Sequence, residues 1–158
     1  LYNSPSGNTL GVDFSDPASH DDIRTTEMHI PLGKPVKLVI HSQDVIHDVG
    51  LPHFRLKMDA VPGIPTTQWF TPKITTAEMK KKTGNPEFNF EIACDQLCGS
   101  SHYAMRGVII VETMEEYKKW LAEQKSEHSV LFPAKPMEQN APDSAAGKQI
   151  SQALPVKK

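Results

Sequence analysis

The chain has 158 residues, enough for one domain with its own core, and a net charge of −2. That balance, with no basic cluster interleaved with aromatics, argues against a nucleic-acid binder and against strong attraction to an acidic membrane surface. No apolar run approaches the roughly 18 residues of a membrane span; the longest clusters, such as Val108-Ile109-Ile110-Val111, are strand-sized. The chain starts Leu1-Tyr2 without a signal peptide, which reads as a processed product or an excised fragment.

Residues 1–27 are rich in Ser, Asn, Gly and Asp and are expected to form an irregular N-terminal arm. The pattern then changes. Met28-His29-Ile30 leads to Pro31, and Val36-Lys37-Leu38-Val39-Ile40 alternates as a half-buried strand does. Asp44 to Val49 reads as a loop running into a strand, Phe54 to Met58 alternates again, Pro62-Gly63 marks a turn, and Gln68 to Thr71 ends another strand. Thr75 with Glu78 fits a capping box that opens a short helix, stopped by Gly84-Asn85-Pro86. Phe88, Phe90 and Ile92 then alternate with Asn89, Glu91 and Ala93, and Gly107 to Val111 forms a final buried strand. A second capping box, Thr113 with Glu116, opens a helix whose Tyr117, Trp120 and Leu121 share one face, expected to be buried. The domain is expected to span 28–125, and 126–158, polar and carrying Pro133, Pro136, Pro142 and Pro155, to be a mobile tail. Short strands separated by turn signals indicate an all-β sandwich or barrel with a short inserted helix and a C-terminal helix.

The segment Cys94-Asp95-Gln96-Leu97-Cys98-Gly99-Ser100-Ser101-His102-Tyr103-Ala104-Met105 decides the chemistry. Thiolates and a thioether are soft ligands, imidazole suits several transition metals, and a thioether favours copper over zinc. A zinc ribbon would need paired cysteine knuckles, and this chain has only two cysteines. By period two, Cys94 follows Phe88, Phe90 and Ile92 on one face of a strand. His47 is the chosen further nitrogen ligand, seated by Val45 and Ile46, with His41 and His53 as rivals. A mononuclear blue-copper site needs only His47, Cys98, His102 and Met105, which leaves Cys94 over. Two cysteines can bridge two copper ions, each capped by one histidine, with Met105 as a weak ligand to one and a backbone carbonyl, that of Gln96, to the other.

The motif, with Asp44-Val45-Ile46-His47 and Lys57-Met58-Asp59-Ala60-Val61-Pro62-Gly63, resembles subunit II of cytochrome c oxidase from about Val36 to Val111. The resemblance implies a cupredoxin-like Greek-key β-sandwich holding the dinuclear copper centre called CuA. It implies metal ligands His47, Cys94, Gln96 through its carbonyl, Cys98, His102 and Met105, and no catalytic residue in the domain itself. It implies that single electrons arrive from cytochrome c or an equivalent donor and leave to a haem in oxidase subunit I. The whole complex is a proton-translocating oxidoreductase, of which the isolated domain is only an electron carrier. The site would lie on the periplasmic or intermembrane-space face of a respiratory membrane, tethered by N-terminal membrane helices that this chain lacks. Two further features depart from the family pattern. The aromatic, Trp-bearing segment that receives electrons has no counterpart in residues 1–30, and Trp69 and Trp120 are not assigned that role. Gln96 stands where many members carry a Glu that helps hold magnesium against subunit I, which weakens the case for that ion.

Other readings of the same residues stay open at this level. Cys94 and Cys98 could form a disulfide. The chain could be a free-standing blue-copper carrier, or a copper chaperone, although chaperones with this cysteine spacing use a helix-rich thioredoxin-like fold. A nitrous oxide reductase domain has similar ligand spacing, but the Asp59-to-Gly63 region resembles the oxidase. His20, His29 and His128 read as solvated or locally bonded, and Asp44, Asp48 and Asp59 as turn and surface residues that could form a negative rim for a basic cytochrome c.

Overall fold

The computed structural model describes residue 8 and residues 11–133. The described strands are β1 (Glu27–Pro31), β2 (Val36–Ile40), β3 (His47–Leu51), β4 (Leu56–Ala60), β5 (Thr66–Phe70), β6 (Phe90–Ala93) and β7 (Arg106–Glu112). Five of them form a sheet in the order β1-β7-β6-β3-β4, and β2 and β5 form a second, antiparallel one. Only the β1–β7 pair is parallel, with Glu27 opposite Val108 and Pro31 opposite Glu112. The chain switches between sheets after β1, β2, β4 and β5, as a Greek-key sandwich requires. The expected all-β class is what the structure has.

The core lies where the inner faces meet. Ile30, Leu51, Phe70, Phe90, Ile109 and Val111 form one buried cluster, backed by Met28, Leu38, Phe54, Met79 and Ile92. Burying such side chains is worth roughly 1.5–3 kcal/mol each. Phe54 tilts against both Phe70 and Phe90, joining the second sheet to the first. It does so from a tight 3-10 turn, Pro52–Phe54, and β4 begins only at Leu56, two residues later than the alternation suggests.

Both capping boxes form. Helix α1 (Thr76–Thr83) starts with the Thr75 hydroxyl accepting from the Glu78 N–H and the Glu78 carboxylate accepting from the Thr75 N–H, and it ends at Gly84 in the left-handed region. The buried Thr76 hydroxyl accepts from the Val111 N–H at 2.9 Å and so pins α1 to β7. Helix α2 (Met114–Glu123) is opened by Thr113 and Glu116 in the same way. Its packing differs from the expectation: Leu121 is exposed, and Trp120 instead stacks on the His29 ring at 4.1 Å.

A third helix, α3 (Glu127–Leu131), lies at the start of the segment expected to be a mobile tail. It joins the N-terminal arm. Ser126 bridges to Ile23, the Glu127 N–H donates to the Asp22 carbonyl at 2.8 Å, and Phe14 meets the rings of His128 and Phe132 edge-on. The rest of that tail, 134–158, lies outside the described residues. Among the described residues no helix is long and apolar enough to cross a membrane.

Candidate metal centre

Three adjacent strands deliver the sulfur and nitrogen groups to one end of the sandwich. Cys94 follows β6, Met105 precedes β7, and Ala93 pairs with Arg106 between them. The Cys94 N–H donates to the Met105 carbonyl at 3.0 Å, closing the base of the loop that connects the two strands. Within it Gly99 has φ 138°, a conformation open to glycine and strained for other residues. A 3-10 turn over His102–Ala104 carries His102 inward. His47, the first residue of β3, arrives from the next strand, which pairs with β6 at Gly50 and Ala93.

The two sulfurs lie 3.6 Å apart, well beyond the roughly 2.05 Å of a disulfide. Each has its own set of neighbours. Cys94 Sγ is 3.9 Å from His47 Nδ1 and 3.2 Å from the Gln96 carbonyl oxygen. Cys98 Sγ is 3.5 Å from His102 Nδ1 and 3.4 Å from Met105 Sδ. All six residues singled out from the sequence therefore meet. The ligand atoms of His47, Cys94 and Cys98 fall within 4.8 Å of one another. His41 lies beside the site on the wall of a cavity of about 390 Å³ that also touches His47, Cys94 and Met105. His53 is elsewhere, its Nδ1 accepting from the Glu91 N–H and its ring packed against Phe88 and Phe90.

Electrostatics prepare the donors unequally. Desolvation pushes the Cys94 thiol up, but hydrogen bonds from the Asp48 backbone, from His47, from the Gln96 backbone and from His102 outweigh it and bring Cys94 down to about 6. Desolvation and the neighbouring Cys94 raise Cys98 instead. His47 Nε2 lies 2.7 Å from Asp44 Oδ1, an interaction that raises His47 and lowers Asp44. With Nε2 held on this carboxylate, Nδ1 is turned toward the Cys94 sulfur. Asp44 thus has a role that its reading as a turn residue missed; its position three residues before a candidate ligand histidine was the available signal.

Two other expectations change. Val45 and Ile46 do not seat His47; each is 45% exposed, and with Leu97, Tyr103 and Met105 they form an apolar surface around the site. Asp48 is not part of an acidic rim, because it is buried.

Chemically, two thiols, two imidazoles whose Nδ1 atoms face the sulfurs, a thioether and a carbonyl make a soft set that suits copper. They divide into two similar halves, one about each sulfur, so the residues present fit a pair of ions.

The family profile described as cytochrome c oxidase subunit II, periplasmic domain, matches residues 18–114. The alternative cytochrome c oxidase subunit 2 of Bradyrhizobium diazoefficiens is 41% identical over 121 residues, which cover 75% of this chain and 39% of the relative. Cytochrome c oxidase subunit 2 of Thermostichus vulcanus is 42% identical over 94 residues, covering 60% of this chain and 25% of the relative. The chain thus spans well under half the length of these relatives. The crystal structure of the periplasmic domain of subunit II of cytochrome oxidase from Bradyrhizobium japonicum superposes with a TM-score of 0.52 at 31% identity, over 62% of each chain. With a profile match across most of the sandwich and a superposable domain of the same kind, the chain belongs to the cytochrome c oxidase subunit II family.

Proposed function

We propose that the chain is the electron-input domain of a haem–copper respiratory oxidase and holds two copper ions between Cys94 and Cys98. The observation that carries this is the division of donors into two sets: Cys94 with His47 and the Gln96 carbonyl, Cys98 with His102 and Met105. A mononuclear site leaves Cys94 without a purpose, whereas a pair uses every donor. Copper held there would supply one-electron chemistry, with cytochrome c or an equivalent donor as the source of the electrons and a haem in subunit I as their acceptor.

The chain's own residues do the rest. Asp44 holds His47 Nε2 and so orients Nδ1 toward the Cys94 sulfur. The Asp48 N–H stabilises negative charge on the Cys94 sulfur. Anchoring on β3, β6 and β7 fixes the donors on a rigid frame, so little rearrangement accompanies a change of charge. The apolar surface of Val45, Ile46, Leu97 and Tyr103 gives a redox partner a contact from which water is readily expelled. The complex would stand on the periplasmic or intermembrane-space face of a membrane, anchored outside this segment. The neutral Gln96 side chain offers a magnesium ion at a subunit interface no charge of its own.

The test is copper stoichiometry on the reconstituted chain with an electron paramagnetic resonance spectrum of the same sample. Two coppers per chain, with one unpaired electron split by both nuclei, are expected. One copper per chain with a mononuclear pattern would replace this reading with a blue-copper carrier.

A further inference from the structure

The cavity of about 390 Å³ at the metal end is lined from both sheets. Ile40, the last residue of β2, and His41 after it contribute one side; Ala60 of β4 with His47, Cys94 and Met105 contribute the other. Ile40 and Ala60 are buried, whereas His41, Met105 and Arg106 are exposed and mark the mouth. The backbone on both sides of His41 is fixed, because Ile40 pairs with Thr66 and Ser42 bridges to Pro62. Its ring is not. The chain has seven histidines. His20, His29, His47, His53 and His102 each have a ring nitrogen on a polar or sulfur partner, and His128 stacks on His20. Among the described residues His41 has no hydrogen bond, ion pair or ring contact. An exposed imidazole without partners contributes little to stability, yet this one stands where three donors of the metal centre reach a cavity wall.

We propose that His41 captures copper on its way in and passes it to the donors that keep it, so that the cavity is the loading route of the centre. This rests on the copper reading above and concerns how the centre is filled. His41 suits the first step and not the last. A free imidazole nitrogen binds copper, but the ligand atoms of His47, Cys94 and Cys98 gather within 4.8 Å of one another without it, and both donor sets are complete. Other exposed side chains about the centre, Val45, Ile46 and Leu97, carry no donor atom for an arriving ion. Arg106 at the same mouth repels a bare cation, which favours copper arriving in an anionic complex. The exchange involves no change of oxidation state. The bond to His41 breaks as bonds to Cys94 and His47 form, and a thiol that binds passes its proton to water.

The experiment mixes the metal-free, reduced chain with copper(I) held by the anionic chelator bicinchoninate, without oxygen, and follows the loss of the chelate's colour. His41→Ala should reach the same final copper count as the wild type and, after oxidation by ferricyanide, the same paramagnetic spectrum, but severalfold more slowly. His41→Met, which restores a copper donor at the mouth, should recover most of the rate. A rate unchanged in His41→Ala, or not recovered in His41→Met, overturns the capture role, whatever the number of coppers bound. A lower final count in His41→Ala overturns it too, because His41 would then be a permanent ligand. Failure of the paired centre reads separately, as one copper per wild-type chain, and leaves the comparison of rates intact.

Discussion

Two histidines in this molecule, His29 and His47, begin from the same arrangement and end in different roles. Each is mostly buried, with side chains 10% and 18% exposed, and each has one ring nitrogen on a carboxylate. His29 Nδ1 lies 3.1 Å from Glu112, and its other nitrogen faces a second carboxylate, Glu27, at 3.7 Å. Its ring face is covered by Trp120 at an interplanar angle of 9°. Both nitrogens and one face are thus engaged in holding α2 against β1 and β7. His47 has one carboxylate, Asp44, on Nε2, and its remaining nitrogen faces a sulfur. What distinguishes a structural imidazole from a candidate ligand is what the second nitrogen meets, and the carboxylate partner by itself does not discriminate.

That contrast predicts opposite outcomes for two substitutions, and these are the largest effects. His47→Ala should lose the paired copper signal, with one ion or none bound, while the metal-free chain unfolds within about 1 kcal/mol of the parent, as expected where no core contact is removed. His29→Ala should keep the full copper complement and lose about 2 kcal/mol of stability, from a charge-assisted hydrogen bond and a stacked ring pair. Denaturant unfolding and copper counting on both variants check this together. If His29→Ala removes copper while His47→Ala does not, the comparison is reversed and the proposed centre fails.

Asp44→Ala sharpens the same contrast. It leaves His47 in place and removes only the partner that orients it, so two coppers should still bind, with affinity lower by about 10- to 100-fold. Competition with a copper chelator measures this; unchanged affinity would mean that the 2.7 Å contact is incidental. A smaller effect, about tenfold, separates the two sulfurs. A thiolate reacts with iodoacetamide and a thiol does not. Cys94, brought down to about 6, is mostly thiolate at neutral pH, whereas Cys98 is raised and mostly protonated. The metal-free chain should therefore be labelled first at Cys94, and the rate should fall about tenfold per pH unit below about pH 6. Equal labelling of both positions would show that the neighbours of Cys94 do not favour its charged form.

How much of this was legible in the sequence depended on whether the signal was local. The two capping boxes, the Phe88-to-Ile92 alternation and the twelve-residue span from Cys94 to Met105 are contiguous, and the structure has a helix at each box, a strand from Phe90 within the alternation, and the loop. His47 was harder, because its nearness to Cys94 depends on β3 pairing with β6 through Gly50 and Ala93, which are 43 positions apart in the chain. The burial of Asp48 was illegible. It follows from the β3–β4 register and from the way Asp95 folds over Gly50, neither of which leaves a mark on hydrophobic period. Val45 and Ile46 misled for the opposite reason: apolar residues beside a ligand suggest a seat, but the chain had not yet entered β3, and the loop carries them outward. Helix α3 was lost in a polar segment because its contacts are to residues more than a hundred positions earlier, in the arm around Phe14 and Asp22.

The smallest expected effect tests whether the His29 region is as separate from the metal centre as the comparison requires. The Thr113 hydroxyl accepts from the Glu116 N–H at 3.3 Å and opens α2, the helix that lays Trp120 on His29. Thr113→Ala removes this cap and should cost about 1 kcal/mol. Fraying at the first turn loosens Trp120 one to two turns further along, so the fluorescence of that tryptophan should shift toward that of a solvated indole as the stability falls. The copper spectrum should not change, because α2 packs on β1 and β7 and contributes no donor to the loop between Cys94 and Met105. A copper spectrum altered by Thr113→Ala would mean that β7 transmits strain from Glu112, beside the cap, to Met105 at its other end, and the two imidazole regions would then be one mechanical unit.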